Sequence, residues 1–300
     1  MACTLVASAA PIRGHGLELR YAYSLATLTG QVRLNGLELS YDPAGRELFA
    51  TGYGSVRVFN TSGVQTYQFG NADDEAGFVA DVAALEDGEL LLLTSRERSF
   101  SLLRANFRGE PQETLNLTGL PPEFPGDFRP GAIAYSRGRI YLADKPGMRV
   151  LVVDERGRTL AAYDLAALIG EQEKRQDLGI NGFAVDREGN LLFTIAPLFK
   201  AYVYPPGGEV RSFGVPGSAP GKFNLVGGIA SDDQGRLYLA DLLKCAVLVF
   251  DREFKFLGEF GYRGRAPGRL IAPTGVAVGQ GRVYVSQYGS MGISVYQIHE

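Results

Sequence analysis

Two histidines, His15 and His299, are the whole imidazole complement of this 300-residue chain. Both lie near its ends. A Ser-His-acid triad needs an imidazole held between nucleophile and acid, and neither position offers that, so nucleophilic hydrolysis by this route is not expected. Cys3 and Cys245 supply neither a disulfide framework nor a Cys-x-x-Cys pair for zinc or redox work. Cys245 borders an apolar run and reads as a small buried side chain. The remaining conspicuous side chains are suited to contact. Tyr53, Arg96, Arg98, Lys145, Met148, Leu198, Phe199, Lys200, Leu242, Leu243, Lys244, Tyr288 and Met291 all fall in breaks between apolar runs. Apolar and aromatic groups ringed by Arg and Lys have the chemistry of a protein-binding patch. The alternative is that they turn inward and plug whatever opening the breaks surround. Two short arginine clusters (Arg96, Arg98, Arg104 and Arg108; Arg263, Arg265 and Arg269) sit in a chain of net charge −3. Counterion-release binding to nucleic acid needs a wider basic footprint, so a nucleic-acid partner is not expected.

These breaks belong to a repeat. Ile229-Ala230-Ser231-Asp232-Asp233-Gln234-Gly235-Arg236-Leu237-Tyr238-Leu239-Ala240-Asp241 reads as strand, tight turn, strand. Phe183 to Phe193 says nearly the same. The apolar step that opens each unit falls at residues 37, 82, 133, 183, 229 and 276, with spacings of 45, 51, 50, 46 and 47. Asp-x-x-Gly between apolar runs is turn chemistry, with Asp capping and Gly taking positive φ. In the fifth unit the strands are expected at 228–231, 236–240, 246–250 and 256–260. Four antiparallel strands repeated six times predict an all-β fold, a six-bladed β-propeller.

The sixth unit ends after its third strand, Ile293 to Gln297. The first is preceded by an unassigned segment, Leu17 to Leu28, in which Ala22–Gly30 matches Ala162–Gly170, the fourth strand of unit three and the start of the loop after it. The N-terminal segment is therefore expected to be the fourth strand of the last blade, closing the ring and removing an exposed edge. Residues 17–300 form one propeller in this reading. Residues 1–16 form a flexible leader, with a remnant of an export or lipoprotein signal as the alternative suggested by Ala7-Ser8-Ala9 and Ala2-Cys3. No run approaches the roughly 20 apolar residues of a membrane helix. A short helical turn is expected within the insert 164–179.

The segment Phe260-Gly261-Tyr262-Arg263-Gly264-Arg265-Ala266-Pro267-Gly268-Arg269-Leu270-Ile271-Ala272-Pro273-Thr274-Gly275-Val276-Ala277 resembles the linker and first strand of NHL repeats. Phe213 to Gly217, Gly221 to Phe223 and Gly228 to Ala230 match it too. Leu237–Asp241 and Ile140–Asp144 resemble the second strand. The resemblance runs from about residue 17 to the end and implies the six-bladed fold. Lyases of this type use channel-facing histidines, which this chain does not offer. A likeness to gluconolactonase-like propellers implies the second functional reading, a calcium-dependent lactonase or esterase. There the position before each first-strand glycine reads Asn35, Ala80, Gly131, Asn181, Gly227 and Thr274. Asn35 and Asn181 would face each other across the channel, with Glu38 and Asp81 adding carboxylates. Calcium takes six to eight oxygens, and this set would supply four.

The leading expectation is a non-catalytic NHL-repeat scaffold with no cofactor. It would hold a protein partner on the face carrying the two-to-three loops and the blade-to-blade connections. A bacterial periplasmic or cell-envelope complex is the expected setting, with the cytoplasm as the alternative. The competing expectation is the calcium-dependent hydrolase at the channel mouth.

Overall fold

The computed structural model describes residues 17–27, 30–31, 36–71, 75–96, 99–122, 124, 128–289 and 291–299. Six four-stranded antiparallel sheets stand around one axis. Blade 1 is Glu38–Asp42, Glu47–Gly52, Ser55–Phe59 and Gln65–Phe69, and blade 2 is Val79–Ala84, Leu90–Arg96, Ser99–Ala105 and Pro111–Leu115. Blade 3 is Ala132–Ser136, Arg139–Asp144, Arg149–Asp154 and Thr159–Asp164, and blade 4 is Gly182–Val185, Leu191–Ile195, Lys200–Tyr204 and Arg211–Phe213. Blade 5 is Val226–Ser231, Leu237–Asp241, Ala246–Phe250 and Phe256–Gly261. Blade 6 is Pro273–Gly279, Arg282–Gln287 and Ile293–His299, completed on its outside by Glu18–Ser24.

The closing strand pairs antiparallel with Ile293–His299, from Glu18 opposite His299 to Ser24 opposite Ser294. The ring is sealed as the internal match predicts, but two residues out of the expected register. Val295 lies opposite both Tyr284 and Tyr23, whereas its counterpart in blade 3, Val152, lies opposite Tyr141 and Ala161. Tyr23 therefore occupies the place of Ala161, not of Tyr163.

Each strand is half of a sandwich between blades. Six apolar clusters are buried, each drawing side chains from two adjacent blades. Leu17 and Leu19 join the cluster between blades 5 and 6, and Leu25 joins that between 6 and 1. A β-bulge interrupts the pairing of third and fourth strands in blades 1, 2, 3, 5 and 6. Such bulges sharpen twist, which lets the outer strands splay around the wheel.

The turns between first and second strands carry the chemistry read from the sequence. Asp232 Oδ1 accepts from the backbone N–H groups of Gln234 and Arg236, and Gly235 takes φ 77°. On the opposite face the described turns between second and third strands are short. That of blade 1 is Tyr53-Gly54 alone, both at positive φ (56° and 78°), the geometry of a type I′ hairpin. Those of blades 3, 4 and 5 hold four residues each, closing with Met148, Phe199 and Cys245 in the left-handed region. The length on this face lies in the connections between blades. One of them holds a helix, Leu165–Leu168, capped by Asp164, and a 3-10 turn, Gln172–Asp177. No helix among the described residues is long and apolar enough to cross a membrane.

Candidate functional site: channel mouth and loop face

The six first strands line a central channel of about 550 Å³. Strand pairing fixes which residues are equivalent around it. Leu39, Val82, Ile133, Phe183, Ile229 and Val276 each face the same place on their second strands, opposite Ala50, Leu92, Leu142, Phe193, Leu239 and Val285. In blade 1 the repeated step thus begins at Leu39, not Leu37. Two positions earlier sits buried Leu37, so the counterpart of Asn181 in blade 1 is Leu37 and not Asn35. Asn35 itself lies outside the described residues.

One position before the apolar step, the ring reads Glu38, Asp81, Ala132, Gly182, Gly228 and Gly275. The glycines let neighbouring blades touch backbone to backbone. A Cβ on Gly182 would stand 2.2 Å from the Gly227 carbonyl oxygen, and one on Gly228 would stand 2.8 Å from that of Thr274. Side chains tie the same seams. The Thr194 hydroxyl donates to the Gly227 carbonyl (2.6 Å), and that of Ser286 donates to the Leu37 carbonyl (2.6 Å). On the other half of the ring, Asp81 Oδ2 accepts from Ile133 N–H of the next blade (2.9 Å) while Oδ1 accepts from Val82 N–H (2.9 Å).

Above this acidic half lies Lys145, from the turn of blade 3. Its Nζ reaches Glu38 Oε1 at 2.6 Å, and its carbonyl is held by the N–H of Ile180. Burial pulls the ammonium down, but the Glu38 and Asp81 charges outweigh it and leave the group raised. Asp81 is pushed up to about 7, first by burial, then by Glu38; the two backbone N–H groups and Lys145 oppose the rise. A carboxyl whose folded value lies above its unfolded one favours the fold when protonated. Stability is therefore expected to rise as pH falls from about 7 towards 4, and to be lost as pH climbs back through 7. The contribution is on the order of a few kcal/mol. Thermal melts of wild type and Asp81→Asn between pH 4.5 and 8.5 check it: the difference between the two should shrink on acidification, and a constant difference counts against a titrating Asp81.

This arrangement does not fit a calcium ion. Both oxygens of Asp81 are engaged with backbone, Asn181 Oδ1 accepts from Ala196 N–H (2.7 Å), and Glu38 faces an ammonium. No group of three or more His, Cys, Asp or Glu side chains is placed to hold a metal among the described residues. The charge that two mouth carboxylates would present to a cation is answered here by Lys145. His299 is exposed at the end of its strand, away from the channel lining.

The loop face is the other candidate. Of the residues expected there, Tyr53 (67% exposed), Leu243 (55%) and Tyr288 (45%) face solvent. Met148 is fully buried, Leu198 and Phe199 pack against the cores flanking blade 4, and Leu242 and Met291 are half-buried. Lys200 Nζ donates to the Gly214 carbonyl. Lys244 is inside, paired with Glu259 at 2.7 Å. The left-handed residue that closes each four-residue turn is directed back into the blade, which is why Met148 and Phe199 do not reach outward. The side chain of Arg96 and all of Arg98 lie outside the described residues. Three exposed side chains were not anticipated: Phe78 beside Gly54, Val215 and Tyr262. They sit in blade-to-blade connections, where the alternation of apolar runs gives no signal of direction. Among the described residues, six of the eleven large apolar side chains that are exposed thus share this one face.

No protein-family model matches the chain. A stretch of 97 residues is 31% identical to Protein brain tumor of Drosophila melanogaster, covering 30% of this chain and only 9% of that protein. Among solved structures, virginiamycin B lyase of Staphylococcus aureus superposes with a TM-score of 0.60 at 14% identity, covering 95% of this chain and 99% of the other. A gluconolactonase of Xanthomonas campestris gives 0.58 at 16% identity, covering 96% and 91%. An auxiliary nutrient binding protein of Bacteroides ovatus gives 0.61 at 12% identity, covering 95% and 77%. At identities this low the likeness establishes the six-bladed fold alone. Two enzymes of different chemistry and a binding protein share it, so the architecture by itself assigns no activity.

Proposed function

We propose that this chain is a non-catalytic binding scaffold of NHL-repeat type that holds a protein partner on its loop face. The observation that carries this reading is the gathering of Tyr53, Phe78, Val215, Leu243, Tyr262 and Tyr288, all exposed, on one face of a rigid wheel. Short turns hold three of these anchors, so little chain entropy is lost when a partner docks. The NHL-like linker segments and the 97-residue likeness to Protein brain tumor support the family part of the reading. The mouth supports the non-catalytic part, since its carboxylates are occupied by Lys145 and backbone. Capture of partners from the source organism tests it. Tyr53→Ser, Leu243→Ser and Tyr288→Ser combined should reduce recovery at least about tenfold, because truncating central aromatic anchors costs on the order of 2 kcal/mol each. Phe107→Ser, an exposed aromatic on the opposite face, should leave it unchanged, as should a chelator in the buffer. Equal recovery by the triple variant contradicts the loop-face reading, and loss of recovery on chelation contradicts its metal-free part.

A further inference from the structure

Two copies of one loop indicate what the partner carries. The connection from blade 4 to 5, Val215-Pro216-Gly217-Ser218-Ala219-Pro220-Gly221-Lys222-Phe223, and that from blade 5 to 6, Tyr262-Arg263-Gly264-Arg265-Ala266-Pro267-Gly268-Arg269-Leu270, align residue for residue. They share one backbone hydrogen-bond pattern. Pro216 bridges Phe223 as Arg263 bridges Leu270. Gly217 N–H donates to the Phe223 carbonyl as Gly264 does to that of Leu270, and Phe223 N–H donates to the Val215 carbonyl as Leu270 does to that of Tyr262. Lys222 N–H and Arg269 N–H both donate to the carbonyl of the alanine three residues back. Phe223 and Leu270, the plugs, are both fully buried.

Since the first copy takes this shape with Pro216, Ser218 and Lys222, the fold does not require arginine at 263, 265 and 269. All three are exposed. None ion-pairs with a carboxylate among the described residues. Two of the guanidiniums lie along other groups instead: Arg269 is 6.0 Å from the ring centre of Tyr262, and Arg265 is 4.0 Å from the Met291 sulfur. Three like charges on one short loop repel one another.

We propose that this loop is a docking site for a short acidic polypeptide segment bearing an apolar residue, its carboxylates met by Arg263, Arg265 and Arg269 and its apolar side chain by Tyr262 and Tyr288. The inference rests on the loop-face reading and names the partner's chemistry. Arginine forks fit carboxylates bidentately. The turn carrying Tyr288 is seated on the end of the same connection, its N–H donating to the carbonyls of Ile271 and Ala272, and Met291 of that turn meets Arg265. Three cations on a chain of net charge −3 make too narrow a footprint for a nucleic acid.

Fluorescence anisotropy with three labelled probes tests this. They are a 12-residue peptide of Glu and Asp with two Leu and one Phe, the same peptide with Lys for every acid, and a 12-mer oligouridylate. The acidic peptide should bind most tightly. Arg263→Ser, Arg265→Ser and Arg269→Ser combined should weaken it about tenfold, from three exposed charge pairs at the usual strength, with an unchanged melting temperature. Lys222→Ser in the sister loop should change it less than about twofold. Tighter binding of either other probe, or an affinity unaffected by the triple substitution, overturns the proposal. If that happens while the Tyr53, Leu243 and Tyr288 substitutions still abolish partner capture, the loop-face scaffold stands and only the acidic partner falls.

Discussion

A chain that begins at Leu25 is expected to lose its cooperative unfolding transition. The closing strand buries Leu17 and Leu19 against the blade 5–6 core. It supplies six residue pairs to the last blade and sets Tyr21 edge-on against Tyr296 at 5.9 Å. Burying two leucine side chains is worth roughly 3–6 kcal/mol. Uncovering Tyr296, Val295 and the backbone of Ile293–His299 adds to the loss. The sum rivals the whole stability of a typical domain, about 5–15 kcal/mol, and the freed strand becomes an open edge for association. Circular dichroism melts and sedimentation should therefore show a broad, early transition and higher oligomers. A synthetic peptide spanning residues 17–27 should restore the sharp transition in trans. A truncated monomer that melts like the full chain means that the ring is closed by something else.

Gly182→Val is expected to destabilise the protein by at least about 3 kcal/mol, the upper part of the range for overpacking. The reason is the seam between blades 4 and 5. Any Cβ at 182 meets the Gly227 carbonyl oxygen at 2.2 Å and Gly228 Cα at 2.8 Å. Both are backbone atoms of the next blade's first strand, itself pressed against blade 6 through Gly228 and Gly275. The strain cannot be relieved by a rotamer change and passes around the ring. Gly131→Ala is the control, because a Cβ there meets nothing within 4 Å; it should shift stability by less than about 1 kcal/mol. Chemical denaturation of both variants checks the contrast. Equal effects mean that the blades do not touch at this station.

The fold was legible in the sequence because a propeller writes its unit six times. The Asp-x-x-Gly turns, the apolar runs and the truncated last unit suffice to count blades and place the closing strand. Phase was harder. In blade 1, Gly36-Leu37-Glu38 imitates the glycine-apolar opening, but the turn from Asp42 to Glu47 holds one residue more than that from Asp232 to Arg236, and only strand pairing shows that Leu39 carries the step. That slip is what set Asn35 opposite Asn181. Side-chain direction in the turns was not legible either. Met148 and Tyr53 both take left-handed φ near 50–60°, yet one closes a four-residue turn and is buried while the other opens a two-residue hairpin and is exposed. The link from Lys145 to Glu38 spans 107 positions and two blades, a contact that no local pattern encodes. By contrast, the arginines of the last connection stand out only when the two loop copies are compared with their shared geometry in view.

Partners are expected to meet the loop face, and a photoreactive benzophenone side chain placed at 243, 288 or, on the opposite face, 107 locates the contact directly. In extract of the source organism, adducts are predicted from positions 243 and 288, with one common partner, and none from 107. A partner cross-linked from 107 alone would contradict the account, because it would put the working surface on the side of the wheel opposite Tyr53, Leu243 and Tyr288.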